Sequence, residues 1–140
     1  MPNSTKKPFI SIVMPVFNVE NYIKRALDSC INQTLSDIEI IIVDDCGNDS
    51  SVEIAKSYAK RDPRIKILHN SQNLGLFKAR IMGEKNASGE YILALDGDDF
   101  LSIFTCKALF RAVHNLKNNL ISKAKLFKNL NFLAKWGGGR

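Results

Sequence analysis

The sequence predicts an α/β fold: a mostly parallel sheet flanked by helices. Three observations carry that prediction. Four short apolar runs alternate with three amphipathic segments over residues 9–95, in the order β-α-β-α-β-α-β. The runs at 9–17 and 38–43 are apolar at nearly every position, which is the pattern of strands covered on both faces. Two of the runs end directly in carboxylates, Asp44-Asp45 and Asp96-Gly97-Asp98-Asp99. In open parallel sheets, the carboxyl ends of the strands are where ligands bind.

Taken in order, Phe9 to Phe17 reads as a buried strand that Asn18 ends. Asn21 to Gln33 places Tyr22, Ile23, Ala26, Leu27, Cys30 and Ile31 at helical spacing, with Lys24, Arg25 and Asp28 opposite. Ile38 to Val43 is a second strand running into Asp44-Asp45. The polar string Cys46–Ser51 is expected to supply caps for a helix over Val52–Lys60. Asp62-Pro63-Arg64 makes a turn, Ile65–Leu68 a third strand, and Gly75–Asn86 a third helix. Ala87-Ser-Gly89 breaks that helix, and Glu90–Leu95 is the fourth strand.

Composition narrows the class. The chain has 140 residues, 45% hydrophobic and 24% charged, enough for one domain with a real core. Its longest near-apolar run, Phe9–Phe17, is half of a membrane span. No secretory leader is expected at the N-terminus. Cys30, Cys46 and Cys106 are scattered and show no zinc-ligand spacing, so free thiols in a reducing cytosol are expected. The net charge of +6 divides unevenly. Residues 1–99 hold 12 basic against 14 acidic residues, and residues 100–140 hold eight basic residues and no acid. The basicity therefore belongs to the C-terminal segment, and nucleic acid is not an expected partner.

Asp96, Asp98 and Asp99 put three carboxylates within four residues, with Gly97 expected to permit a tight turn. Like charges this close repel unless a cation sits among them. A hard divalent ion, Mg2+ or Mn2+, held by carboxylates and substrate phosphates resolves the repulsion. A solvated acidic turn is the alternative. An EF-hand is excluded, because Gly97 falls at loop position 2 and Lys107 where the bidentate Glu belongs. Asp44-Asp45 suits either a base or ribose contact or a pair of helix caps. His69 and His114 show no catalytic partner in the sequence.

Five blocks recur in a familiar order over residues 9–101. They are Ser11-Ile-Val-Met-Pro-Val-Phe-Asn18; Tyr22-Ile23 with Ser29-Cys-Ile-Asn-Gln-Thr34; Glu39-Ile-Ile-Ile-Val-Asp-Asp-Cys-Gly-Asn-Asp-Ser50; Asn73-Leu-Gly75 with Ala79-Arg80 and Gly83; and Gly89-Glu-Tyr-Ile-Leu-Ala-Leu-Asp-Gly-Asp-Asp99. In this the chain resembles the family 2 glycosyltransferases, whose fold is the Rossmann-like GT-A nucleotide-diphospho-sugar transferase fold. The resemblance implies transfer of a sugar from a nucleotide donor, most often a UDP-sugar, to an acceptor hydroxyl of a glycan or lipid-linked saccharide. It implies that Pro15 and Phe17 border the base, that Asp45 binds it with Asp44 beside it, and that Arg80 and Asn73–Gly75 face the donor. Asp96 would open the D-x-D motif, and Asp98 and Asp99 would hold ribose and the metal.

The departures are Phe17 for a common Tyr, Cys46 before Gly47 where Gly usually comes directly, and Ile81 for a common Asn. The resemblance also implies that the family's acceptor half, with its catalytic base, continues past the D-x-D motif, whereas Asp99 is the last acid here. The expected organisation is a polar lead over 1–8, a donor-binding domain over 9–118 and a basic amphipathic tail over 119–140. The tail is either a peripheral contact with an anionic membrane, on the cytoplasmic side, or a helix whose packing partner is missing. The alternative function is a nucleotide-sugar-binding fragment or subunit that needs a partner chain. A phospho-acceptor receiver is disfavoured because the acid pair follows the second strand, and a Rossmann dehydrogenase because no G-x-G-x-x-G follows the first.

Overall fold

The computed structural model describes residues 6–116 of the chain. The amphipathic tail expected over 119–140, and its membrane contact, lie outside the described residues. Eight elements alternate: β1 (Ile10–Val16), α1 (Ile23–Ile31), β2 (Ile38–Asp44), α2 (Ser51–Arg61), β3 (Ile65–His69), α3 (Leu76–Lys85), β4 (Tyr91–Ala94) and α4 (Thr105–Asn115). All three strand pairings are parallel, in the order β3-β2-β1-β4. The predicted α/β class and its four strands are therefore found, with element ends moved by one or two residues.

Strand order creates the binding edge. The chain steps from β1 to β2 to β3 in one direction, then returns past β1 to place β4 on its other side. Connections leaving β1 and β4 therefore diverge and open a crevice at their carboxyl ends. The register levels those ends, because His69 pairs with Asp44 and Asp44 with Val16 in one row. Asp45 N–H donates to Val16 O at 3.0 Å, extending the ladder by one bond.

Both faces of β1 and β2 are buried, as their unbroken apolar runs require. Ile12, Met14, Ile40, Ile42 and Leu93 pack with Ile23 and Leu27 of α1, Ala55 of α2 and Leu109 of α4. Val13, Ile41 and Val43 turn the other way, onto Ala79 of α3. Helix α3 lies so near the sheet that a Cβ on Gly83 would collide with Val13 Cγ1 and come within 3.0 Å of Val43. Close packing is thus the reason for that glycine. Among the described residues no helix is long and apolar enough to cross a membrane.

Two buried polar side chains, Ser29 on α1 and Gln33 just after it, anchor the segment after β4. Ser29 Oγ accepts from Leu101 N–H at 3.0 Å, and Gln33 Oε1 accepts from Cys106 N–H at 2.9 Å. Gln33 Nε2 also donates to Ser102 O at 2.7 Å. These bonds fix the chain leaving Asp99 onto the core. Cys30 and Cys106 are buried in the same region, and desolvation pushes the Cys106 thiol up to about 12 and the Cys30 thiol higher still. Both are packing residues with negligible thiolate at neutral pH.

A carboxylate network locks the opposite end of the sheet. Glu39, 4% exposed, accepts from Ser11 Oγ, from both the backbone and the hydroxyl of Ser88, and from Lys66 Nζ at 3.0 Å. Burial acts to raise its pKa, but these hydrogen bonds outweigh it and hold the carboxyl at about 2. The folded-state pKa is depressed, so its stabilisation is complete above the unfolded value and is lost as pH falls toward 2. Glu39→Gln should cost on the order of 3 kcal/mol at pH 7. Denaturant unfolding from pH 7 down to pH 2.5 should show the difference between wild type and variant shrinking steadily below about pH 4.5.

Candidate functional site

A cleft of about 400 Å³ lies at the carboxyl edge of the sheet. Pro15, Val16, Phe17 and Val19 form its β1 side, and Asp45 reaches in from the end of β2. Asn73, Gly75, Leu76 and Ala79 close it from the start of α3, and Asp96, Gly97 and Asp98 from the end of β4. The residues expected from the sequence at 15, 17, 45, 73, 75, 96 and 98 thus share one space. Asp44, Arg80 and Asp99 flank it. Asp44 instead accepts from Cys46 N–H at 3.1 Å and pairs with His69 Nδ1 at 2.9 Å, giving that histidine a partner the sequence did not reveal.

Asp45 is the most enclosed acid of the site, 2% exposed. Its Oδ1 accepts from Asn70 Nδ2 and Leu74 N–H and its Oδ2 from Gly75 N–H, each at 2.9 Å. The side chain therefore moulds the loop that leads into α3. Asn73 Oδ1 accepts from the same Gly75 N–H at 3.0 Å, a local turn that presents this loop to the cleft. Asn70, buried and also bonded through its N–H to Asp44 O, is a site-shaping residue that no sequence motif singled out. Its position directly after β3 was the available signal.

The loops after β1 and β2 brace one another. Asn18, at φ 50°, accepts from Asn48 N–H through Oδ1 at 2.9 Å. Glu20 N–H donates to Asp49 Oδ2 and Ser50 N–H donates to Glu20 Oε2, each at 3.0 Å. Ser51 Oγ accepts from Val19 N–H. The expected helix caps from Cys46–Ser51 are mostly redirected: Ser50 makes no side-chain cap, while Asp49 Oδ1 accepts from Ser51 N–H. The physical reason is competition, since Asp49 and Ser51 find partners in the loop after β1 that a free helix end would not offer. Burial would raise the Asp49 pKa, but bonds from Ser51 and Glu20 prevail and lower it.

Cys46 sits at φ 62°, a left-handed conformation that costs a residue with a Cβ about 1 kcal/mol. The family's glycine at this place thereby acquires a physical reason. Cys46→Gly should raise the melting temperature by about 2 °C and Cys46→Val should lower it, as followed by circular dichroism.

The acidic turn after β4 brings Asp96, Asp98 and Asp99 together, each offering a carboxylate oxygen within 4.8 Å of the others. Gly97 serves this turn by close approach rather than by unusual backbone angles. A Cβ there would lie 3.0 Å from Val19 Cγ2 and 3.2 Å from Pro15 O. Arg80 Nη2 donates to Asp96 Oδ1 at 2.6 Å, while Arg80 Nε is buried with no hydrogen-bond partner. An all-oxygen donor set with no sulfur or imidazole fits a hard divalent ion such as Mg2+ or Mn2+.

Comparison with known proteins agrees with this geometry. Residues 11–130 match the sequence model described as glycosyl transferase family 2. The chain is 53% identical over 95 residues to the uncharacterized glycosyltransferase EpsJ of Bacillus subtilis, covering 68% of this chain and 27% of that one. It is 37% identical over 93 residues to the putative teichuronic acid biosynthesis glycosyltransferase TuaG of the same organism, covering 66% and 37%. Among solved structures, S. aureus TarS 1-349 in complex with UDP-GlcNAc superposes with a TM-score of 0.73 at 29% identity, covering 76% of this chain and 31% of that one. The mannosyltransferase PcManGT of Pyrobaculum calidifontis, in complex with GDP-Man and Mn2+, shares the fold with a TM-score of 0.71 at 18% identity, covering 93% and 40%. The chain thus spans at most two-fifths of the length of each of these proteins, and the GT-A fold expected from the sequence is the one found. With its sequence blocks, its switch-point cleft and its acidic turn in agreement, the chain belongs to glycosyl transferase family 2.

Proposed function

We propose that residues 9–118 are the donor-binding domain of a glycosyltransferase, taking a nucleoside diphosphate sugar together with Mg2+ or Mn2+. The observation that carries this reading is one cleft holding both a buried, loop-fixing Asp45 and the Asp96, Asp98, Asp99 cluster. Pro15 and the half-exposed Phe17 offer an apolar border for a nucleobase. Asp45 Oδ2 accepts one protein hydrogen bond and retains capacity for a base N–H or a ribose hydroxyl, with Asp44 behind it. Asn73 and Gly75 shape the wall nearest the donor, and Arg80 adds a positive charge at its edge. Asp98 and Asp99, with Asp96 at the turn's start, would hold the metal. The bound ion would supply Lewis-acid stabilisation of the departing diphosphate.

The TarS complex with UDP-GlcNAc and the PcManGT complex with GDP-Man and Mn2+ support a nucleotide-sugar and metal as the ligands. The teichuronic acid name borne by one relative favours a cell-surface polysaccharide as the acceptor class. Asp99 is the last carboxylate of the sequence. No acid among residues 100–140 is therefore available to deprotonate an acceptor hydroxyl. Donor binding alone is accordingly proposed for residues 9–118.

Calorimetric titration of the full chain with UDP and with GDP, each with and without Mn2+, tests the reading. Manganese-dependent binding of at least one nucleotide is expected, and Asp98→Asn should abolish the manganese dependence while leaving the circular dichroism spectrum unchanged. A folded chain that binds neither nucleotide in the presence of Mn2+ overturns it.

A further inference from the structure

The segment that enters α4 holds its backbone inward and two large side chains outward. Leu101 N–H donates to Ser29 Oγ, Cys106 N–H to Gln33 Oε1 and Gln33 Nε2 to Ser102 O, while Ile103 O accepts from Thr34 N–H at 2.9 Å. Phe104 N–H donates to Ser102 Oγ at 3.3 Å and Thr105 N–H to Ser102 O at 3.1 Å. These bonds already satisfy much of the tip's backbone, which lowers the cost of moving it out of water. Yet Ile103 is 43% exposed and Phe104 62%. Two neighbouring apolar side chains on a tip tied down from behind are displayed to the outside instead of being packed.

Positive charge lies on the same side. Helical spacing aligns Phe104 with Lys107, Ala108 and Arg111, on the face of α4 opposite the buried Cys106 and Leu109. Arg25 of α1 stands beside the start of the segment, its guanidinium 4.3 Å from the centre of the Phe100 ring. Residues 100–140 hold eight basic residues and no acid. Asp28 of α1 turns toward α2, where it accepts from Tyr58 Oη at 2.7 Å. Neither Ile103 nor Phe104 lines the cleft; both project from the tip, a shape that suits a flat surface better than a peptide.

We infer that Ile103, Phe104, Lys107 and Arg111 form a docking surface for an anionic lipid bilayer. The two apolar side chains enter the boundary between headgroups and acyl chains, and the two cations meet lipid phosphates. This surface belongs to the folded domain and is separate from the basic segment over 119–140. It does not depend on the donor-site reading.

The test is sedimentation of the full chain with vesicles of phosphatidylcholine alone and of phosphatidylcholine mixed with phosphatidylglycerol, with no nucleotide or metal present. Binding to the anionic vesicles only, weakened by added salt, is expected. Ile103→Ser combined with Phe104→Ser should lower that affinity roughly tenfold. Lys107→Gln combined with Arg111→Gln should lower it roughly twentyfold, at about fivefold for each charge. None of the four side chains belongs to the core, so circular dichroism should be unchanged. In a Trp136→Phe background, the indole introduced by Phe104→Trp should be quenched by lipids brominated on their acyl chains, which keeps the test open if a double variant does not fold. A contact carried by residues 119–140 alone would leave both double variants within about twofold of wild type and that indole unquenched, and either result overturns the inference. So does a chain that sediments equally with both vesicles, or with neither, as a surface made for a protein partner would.

Discussion

Asp45 stands where β2 ends, and the site depends on its carboxylate more than on any other group. Its N–H extends the ladder to β1, and its two oxygens take three hydrogen bonds from Asn70, Leu74 and Gly75. One buried side chain thus joins the ends of β1 and β2 to the segment that follows β3 and starts α3. A buried carboxylate without such donors would be strongly disfavoured, so the loop and the acid require each other. The wall of the cleft is set by that mutual requirement, and Leu76 and Ala79 are carried into place with it.

The two ends of the sheet divide the labour. At the amino end, Glu39 gathers Ser11, Ser88 and Lys66 into a closed network far from the cleft, holding the α3–β4 turn against β1 and β2. At the carboxyl end, Asp96, Asp98 and Asp99 are left partly exposed and close together, an arrangement that opposes stability unless positive charge is near. The same residue type therefore stabilises the fold at one end and prepares a binding site at the other. What differs is the supply of donors: Glu39 is fully satisfied within the protein, whereas the acidic turn relies in part on Arg80.

Backbone constraints in the loops follow from this placement. Asn18 and Cys46 both take positive φ so that the loops after β1 and β2 can brace each other through Asn48, Glu20 and Asp49. Asn tolerates that conformation readily, and Cys bears a cost for it. Gly97 and Gly83 serve a different need, the near approach of one element to another, at Pro15 and Val13 respectively.

The amino-acid sequence by itself determined the α/β class, the four strands and the edge at which polar groups collect, because period-2 and buried apolar runs are local signals that survive without neighbours. Asp45, Asp96 and Asp98 were legible as candidate site residues for the same reason, since each lies just beyond the carboxyl end of a strand. Tertiary structure alone decided the partners of each group: Asp45 with the Asn70–Gly75 loop, Asp44 with His69, Glu39 with Ser88, and Arg80 with Asp96. These pairs are separated by 16 to 49 residues in the chain. Sequence spacing carries no record of contacts made by folding the strands side by side. It showed which residues would reach the carboxyl edge, and the parallel packing chose whom they would meet there.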